Sequence, residues 1–201
     1  MRRTKEAAEE TRQHILEAAI EVFAENGYTS TRLSDIAAKA KVTRGAIYWH
    51  FTDKKHLFID LIKDRIKPFL IIVEQTVQET TGPLEKIRNI MFKTSTQILE
   101  NSKFEAFQKL EFVKTGMLQI EDIEYIVSDH FTKVQKLITQ LIQEGQASGE
   151  IDDAFEPQSI GNHLHIFMRG LGFMLTHPKE KEEIRNSIQK LIDLEIKTIQ
   201  K

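Results

Sequence analysis

Thr43, Arg44 and Gly45 open a run that continues Ala46-Ile47-Tyr48-Trp49-His50-Phe51, with Asp53 and Lys54 just beyond. These residue types, at these spacings, suit contact with a polyanion. The guanidinium of Arg44 matches the O6 and N7 acceptors of guanine, or a phosphate. Gly45 has no side chain, so the backbone there can come close to a duplex. Tyr48 and Trp49 carry polar tips that suit sugar–phosphate contact, although Trp49 would serve equally as core. His50 fits either a DNA contact or a helix-end cap. Lys54, at a helix start, can meet a phosphate together with the backbone N–H groups there. Ile47 and Phe51, four apart, would turn inward and anchor the run.

Elements with the right geometry surround this run. Ile15, Leu16, Ala19, Val22 and Phe23 repeat at helical spacing between Glu9 and Asn26, while Glu17, Glu21 and Glu25 share the wet face. Gly27 follows, where a left-handed residue ends a helix well. A second, short helix over Thr31 to Ala40 carries Leu33, Ile36, Ala37 and Ala40 as one stripe. After the tight break Lys41-Val42, Thr43 is placed to cap a third helix, and Asp53 to cap a fourth with Leu57, Phe58, Leu61 and Ile62 inside. Two short helices joined by a tight turn and backed by a longer one form a helix-turn-helix, whose second helix presents its N-terminal part to the major groove. Charge agrees in sign. Residues 26–56 carry six Lys and Arg against two Asp, a net +4, in a chain of net −2. A solvated face would explain that excess too; the placement of the cations on these helices is what favours DNA.

The 201 residues suffice for one domain or two small ones. The absence of cysteine excludes disulfides, zinc–cysteine sites and thiol catalysis. The longest apolar stretch, Phe69 to Val73, is far too short to span a membrane, and Met1 to Glu6 precede no apolar core of a signal peptide. The expectation is a soluble, cytoplasmic protein. His163 and His165, two apart on an expected helix, face nearly opposite ways and cannot chelate together. No phosphate loop, nucleophile elbow or HExxH motif is present, so neither a metal site nor a cofactor nor an enzyme is expected.

The remainder reads as more helices: a long fourth to about Thr80, kinked at Pro68; a fifth over Leu84 to Glu100; a sixth over Lys103 to Thr115; a long seventh over Gln119 to Gln146; an eighth opened by Pro157; and a ninth after Pro178. The ninth bears two stripes, Ile184/Ile188/Leu191 and Ile192/Ile196/Ile199, wider than one contact needs, and the eighth has small residues at Gly161, Gly170 and Gly172. Both features suggest a homodimer built through the last two helices. The middle helices are rich in aromatics (Phe69, Phe92, Phe104, Phe107, Phe112, Phe131, Phe167 and Phe173), with Gln97, Glu111, His163 and His165 as polar candidates. Most of these rings would serve as plain core. A bundle lined by some of them would hold an apolar small molecule. Glu111, if buried, would recognise a cationic group; on the outer face it would simply meet water.

Thr43 to Lys54, preceded by Ile36-Ala37 and followed by Leu57-Phe58, resembles the DNA-binding signature of the TetR/AcrR family of transcriptional repressors. Lys5 to Leu16 is similar to the AcrR branch, which governs multidrug efflux operons. The close resemblance spans roughly residues 4–60. It implies an all-α fold of about nine helices: a three-helix DNA-binding domain over 1–56 and a helical effector-binding and dimerisation domain over 57–201. By position it implies DNA contacts from Thr31, Arg32 and Ser34, and from Thr43, Arg44, Gly45, Tyr48, Trp49, His50 and Lys54. It also implies pairing of the last two helices into a four-helix bundle. The chain departs from the family at Lys41, where members often have glycine. The expected function is a homodimeric repressor of an efflux-pump operon, released from a palindromic double-stranded operator by a hydrophobic ligand held among Phe69, Phe92, Gln97, Phe107, Glu111, Phe131, His163 and Phe167. The alternative is a ligand-independent DNA-binding regulator whose C-terminal domain binds a protein partner.

Overall fold

A computed structural model describes residues 5–100, 121–175 and 178–201. Among the described residues there are eight helices and no multi-residue strand: α1 (Lys5–Ser30), α2 (Leu33–Lys39), α3 (Arg44–His50), α4 (Lys54–Val77), α5 (Pro83–Glu100), α6 (Glu121–Ser148), α7 (Pro157–Met174) and α8 (Pro178–Ile199). The helix expected over 103–115, and with it Phe104, Phe107, Glu111 and Phe112, lies outside the described residues. The chain divides into two compact units, and Arg65 and Ile66 mark the division within α4.

The first unit is built on α1. Its helical phase turns Ile15, Leu16, Ala19, Ile20, Val22 and Phe23 inward; α1 packs on α2, and Ile36 and Ala37 of α2, Ile47 of α3, and Leu57, Phe58 and Leu61 of α4 are buried as well. Each fully buried aliphatic or Phe side chain stabilises by about 1.5–3 kcal/mol relative to exposure. Gly27 adopts φ 74, so α1 breaks there and one further turn follows to Ser30. That conformation costs glycine little and other residues more. Phe58 packs edge-on to Phe23 at 4.9 Å and lies 4.8 Å from the Tyr28 ring. Polar ties add direction: Arg12 donates to Asp60 at 2.9 Å, Gln13 to Asp64 at 3.2 Å, and the Arg12 guanidinium lies 5.7 Å over the Phe51 ring.

Pro68 does not end α4, which continues to Val77. Proline lacks an N–H, so the Asp64 carbonyl loses its helical donor there.

In the second unit, α8 packs on α5 and α7, and α5 packs on α7. Ile87, Ile90, Met91 and Ile98 of α5 face inward, as their spacing predicts. The finding on α8 corrects the reading of its stripes. Ile184, Ile188, Ile192, Ile196 and Ile199 are all buried within the chain itself. One helix wedged between two neighbours needs apolar residues around more than one face. The outward apolar residues are others: Ile166, Phe173 and Met174 on α7, and Leu194 on α8. Gly170, also outward, has nothing within 4 Å of the place a Cβ would occupy, whereas Gly161 is spent against Thr139 of α6. The chain end is clipped down by Asp152 N–H donating to the Ile199 carbonyl at 2.8 Å.

Candidate nucleic-acid interface

The turn between α2 and α3 is closed by its own backbone. Val42 N–H donates to the Ala37 carbonyl at 3.0 Å and Lys41 N–H to that of Ala38 at 3.1 Å. This is the paired arrangement in which a helix ends on a left-handed residue. Lys41 is that residue, with φ 51. A side chain there costs roughly 1 kcal/mol that glycine avoids. His14 of α1 reaches the Ala40 carbonyl at 2.8 Å and fixes the end of α2.

Thr43 then starts α3 as its spacing predicts: the backbone is extended and the hydroxyl accepts from Ala46 N–H at 3.1 Å. Seven residues of helix follow. Ile47 and the adjoining Phe51 are fully buried. Thr43, Arg44, Gly45, Tyr48 and Trp49 are exposed, Tyr48 by 54% and Trp49 by 67%. Trp49 is therefore surface, not core. His50 is half-buried, with its ring edge-on to Trp49 at 4.5 Å. Arg44 and Tyr48 share a face of α3, being four apart. A Cβ on Gly45 would meet nothing closer than Thr43 Oγ1 at 3.8 Å, so the fold itself leaves room there for a side chain.

Charge on this surface falls into two groups. Lys39 pairs with Glu21 of α1 at 2.7 Å. The side chains of Arg32, Lys41 and Arg44 are exposed and form no ion pair among the described residues. Arg32 and Ser34 flank the start of α2, where the Arg32 N–H donates to Asp35 at 2.9 Å and the Ser34 hydroxyl to the same carboxylate at 3.3 Å.

Two expected contact residues point elsewhere. Thr31 is 1% exposed, and its hydroxyl donates to the Gly27 carbonyl at 2.7 Å, so its side chain closes the α1–α2 turn. Lys54 donates to the carbonyls of Tyr28, Thr29 and Thr31 and is not extended toward solvent. Local sequence could not show the Lys54 contacts, because its partners lie 23–26 residues away.

Comparison with known proteins bears on this arrangement. The model of the tetR family of bacterial regulatory proteins matches residues 15–61. The chain is 30% identical over 158 residues to the HTH-type transcriptional regulator TtgR of Pseudomonas putida, covering 76% of this chain and 75% of that protein. The chain belongs to the TetR family. It is also 57% identical over 60 residues to the regulator AcrR of Shigella flexneri, a match that spans 30% of this chain and only 28% of that protein. The SmeT–triclosan complex shares the fold, with a TM-score of 0.81, 22% identity and coverage of 95% of this chain and 92% of that one. As a TetR-family member the protein is a DNA-binding transcriptional repressor.

The candidate residues of the second unit scatter. Phe69, Gln97, Phe131 and Phe167 are half-buried. Phe131 lies edge-on to His165 at 5.1 Å, with the Arg169 guanidinium 5.5 Å over its ring. Phe92 faces outward, 38% exposed. His163 is also on the outer side, its Nε2 2.5 Å from Oε1 of the buried Glu195. Both are corrections: at these positions α5 and α7 turn their other faces to the core. Burial lowers the pKa of His130 and of His165, and nearby Lys133 and Arg169 act in the same direction. Among the described residues no group of three or more His, Asp or Glu could hold a metal, and no helix is long and apolar enough to cross a membrane.

Proposed function

We propose that this TetR-family repressor acts in the cytoplasm as a homodimer on a palindromic operator, with residues 1–56 as the reader and the rest as the effector and dimerisation part. The observation that carries this reading is the outer face of α3: Arg44, exposed and without an ion pair among the described residues, beside Gly45, Tyr48 and Trp49, on a helix anchored by Ile47 and Phe51. In this account Arg44 reads a base edge, Gly45 allows close approach, and Thr43, Tyr48, Trp49, His50, Arg32 and Ser34 hold the backbone. Two readers on a two-fold axis match a palindrome. Ile166, Phe173, Met174 and Leu194, exposed on the last two helices, are the surface we assign to the partner protomer.

The regulated unit we propose is an efflux-pump operon, and the inducer a hydrophobic molecule held in the second unit near Phe69, Phe131 and Phe167. The AcrR-like reader and the triclosan complex of a protein with this fold support that choice. Release requires the ligand to bind the non-DNA conformation more tightly than the DNA-bound one. The test uses a labelled duplex selected from a random-sequence pool by the protein itself. Triclosan or a hydrophobic dye should raise the Kd for that duplex. Compounds that bind without releasing DNA, or no binding by any of a broad panel, would favour the ligand-independent regulator.

A further inference from the structure

Asp53 caps α4. Its Oδ1 accepts from the N–H of His56, the third residue of the helix, at 2.7 Å, and its carbonyl accepts from Leu57 N–H at 3.1 Å. His56 reaches back in turn. Its Nδ1 accepts from Thr52 N–H at 3.2 Å and lies 3.2 Å from the Thr52 hydroxyl. This is the reciprocal arrangement of a capping box moved out by one residue, with an imidazole where glutamate or glutamine usually stands. Thr52 follows Phe51, whose N–H closes α3 on the Ile47 carbonyl at 2.8 Å, so the tie sets the junction between α3 and α4. A ring nitrogen that accepts carries no proton, so this His56 is neutral with its proton on Nε2. Nε2 faces Asp60 Oδ2 at 3.6 Å.

We infer that His56 is a positioning residue that makes DNA binding pH-dependent: the neutral ring holds the α3–α4 junction, and protonation releases the Thr52 N–H. The inference rests on the reader proposed above, whose α3 ends at this junction. Imidazole is the side chain that changes charge between about pH 5 and 8. Once Nδ1 carries a proton it can only donate, and it then opposes the Thr52 N–H. The Thr52 hydroxyl can turn to accept from it, but that does not restore the backbone tie. The charges around the ring come from three helices. On α4, Asp60 faces Nε2, Asp53 caps the first turn, and Lys54 and Lys55 precede His56 in that turn. From α1, Arg12 binds Asp60 at 2.9 Å and is paired with Glu9 at 3.4 Å. From the end of α3 the Phe51 ring packs edge-on at 5.9 Å, with the His50 ring 6.0 Å from Phe51.

The experiment measures the Kd of the unsubstituted protein, His56→Gln and His56→Ala for the duplex that the unsubstituted protein selects, at about pH 8 and about pH 5.5 and across a salt series. Glutamine keeps an acceptor for the Thr52 N–H and does not titrate. At the higher pH His56→Gln should match the unsubstituted protein, while His56→Ala should bind about 2- to 10-fold more weakly with an unchanged salt slope. At the lower pH the unsubstituted protein should bind about 2- to 10-fold more weakly than His56→Gln and approach His56→Ala. The other histidines are common to all three proteins, so the ratios report His56. Should His56→Ala fail to fold, the comparison with His56→Gln decides by itself. A ratio of unsubstituted to His56→Gln affinity that does not move with pH would overturn the inference. So would a ratio that moves the other way with a steeper salt slope, which marks the imidazolium as a phosphate contact. Long-range proton–nitrogen NMR spectra read the ring tautomer without DNA, and a proton on His56 Nδ1 in the neutral ring would contradict the tie itself. If the unsubstituted protein enriches no sequence, the reader proposal falls and this inference with it; if it does, only His56 is in question.

Discussion

The two units bury similar apolar helices but leave opposite residues outside. On residues 5–65 the outward side of α3 is polar, cationic and aromatic: Arg44, Gly45, Tyr48 and Trp49, with Arg32 and Lys41 nearby. In the second unit, which holds 66–102 and 125–201, the outward residues of α7 and α8 include Ile166, Phe173, Met174 and Leu194. The first kind of surface gains from a polyanion, through counterion release and base-edge hydrogen bonds. The second gains from another apolar surface, which we propose to be that of a second copy. What each unit does is therefore written in what it declines to bury.

The largest expected effect sharpens the contrast between core and surface rings. Phe58→Ala, deep against Phe23 and Tyr28, should cost about 3–5 kcal/mol in chemical denaturation, whereas Phe173→Ala should cost well under half of that. Next, Ile166→Glu combined with Leu194→Glu should give a helical monomer in sedimentation velocity. A persistent dimer would break the assignment of that face. A smaller effect separates the units by pH. The His130 and His165 pKa values are lowered in the fold by burial, while in the unfolded chain they sit near 6.5. As pH falls through 6.5 the unfolded state takes up more protons, so stability is constant above that value and declines below it. Melting temperature should drop between pH 6.5 and 5, and less so in His130→Gln. Smallest is Gly45→Ala. It should raise stability by about 0.5 kcal/mol through helix propensity, yet weaken DNA binding if the backbone lies against the duplex. Unchanged affinity would leave Gly45 without a role.

Local chemistry was legible in the sequence and distant pairing was not. The Thr43 cap, the positive φ of Gly27, and the inward Ile47 and Phe51 all follow from residues within five positions of one another, whereas the positive φ of Lys41 was hinted at only by the glycine that family members often have there. The Schellman-type turn shows why Lys41 tolerates its strain: two backbone bonds fix it. Lys54, Thr31 and His14 were opaque because their acceptors are main-chain carbonyls, which leave no mark in the side-chain pattern. The α8 stripes misled for a related reason. Periodicity shows that a helix has two apolar faces, but not whether its own chain or a second protomer covers them. Four outward apolar residues, by contrast, are identified only once the core is known.

The most direct measurement is selection of binding sites from a random-sequence pool by the unsubstituted protein and by Arg44→Ala. The account predicts that the unsubstituted protein selects a two-fold symmetric site. Arg44→Ala should lose preference at one matched position in each half, with affinity reduced by about 1–3 kcal/mol per lost contact and the dimer intact. The same consensus selected with the same affinity by Arg44→Ala would contradict it.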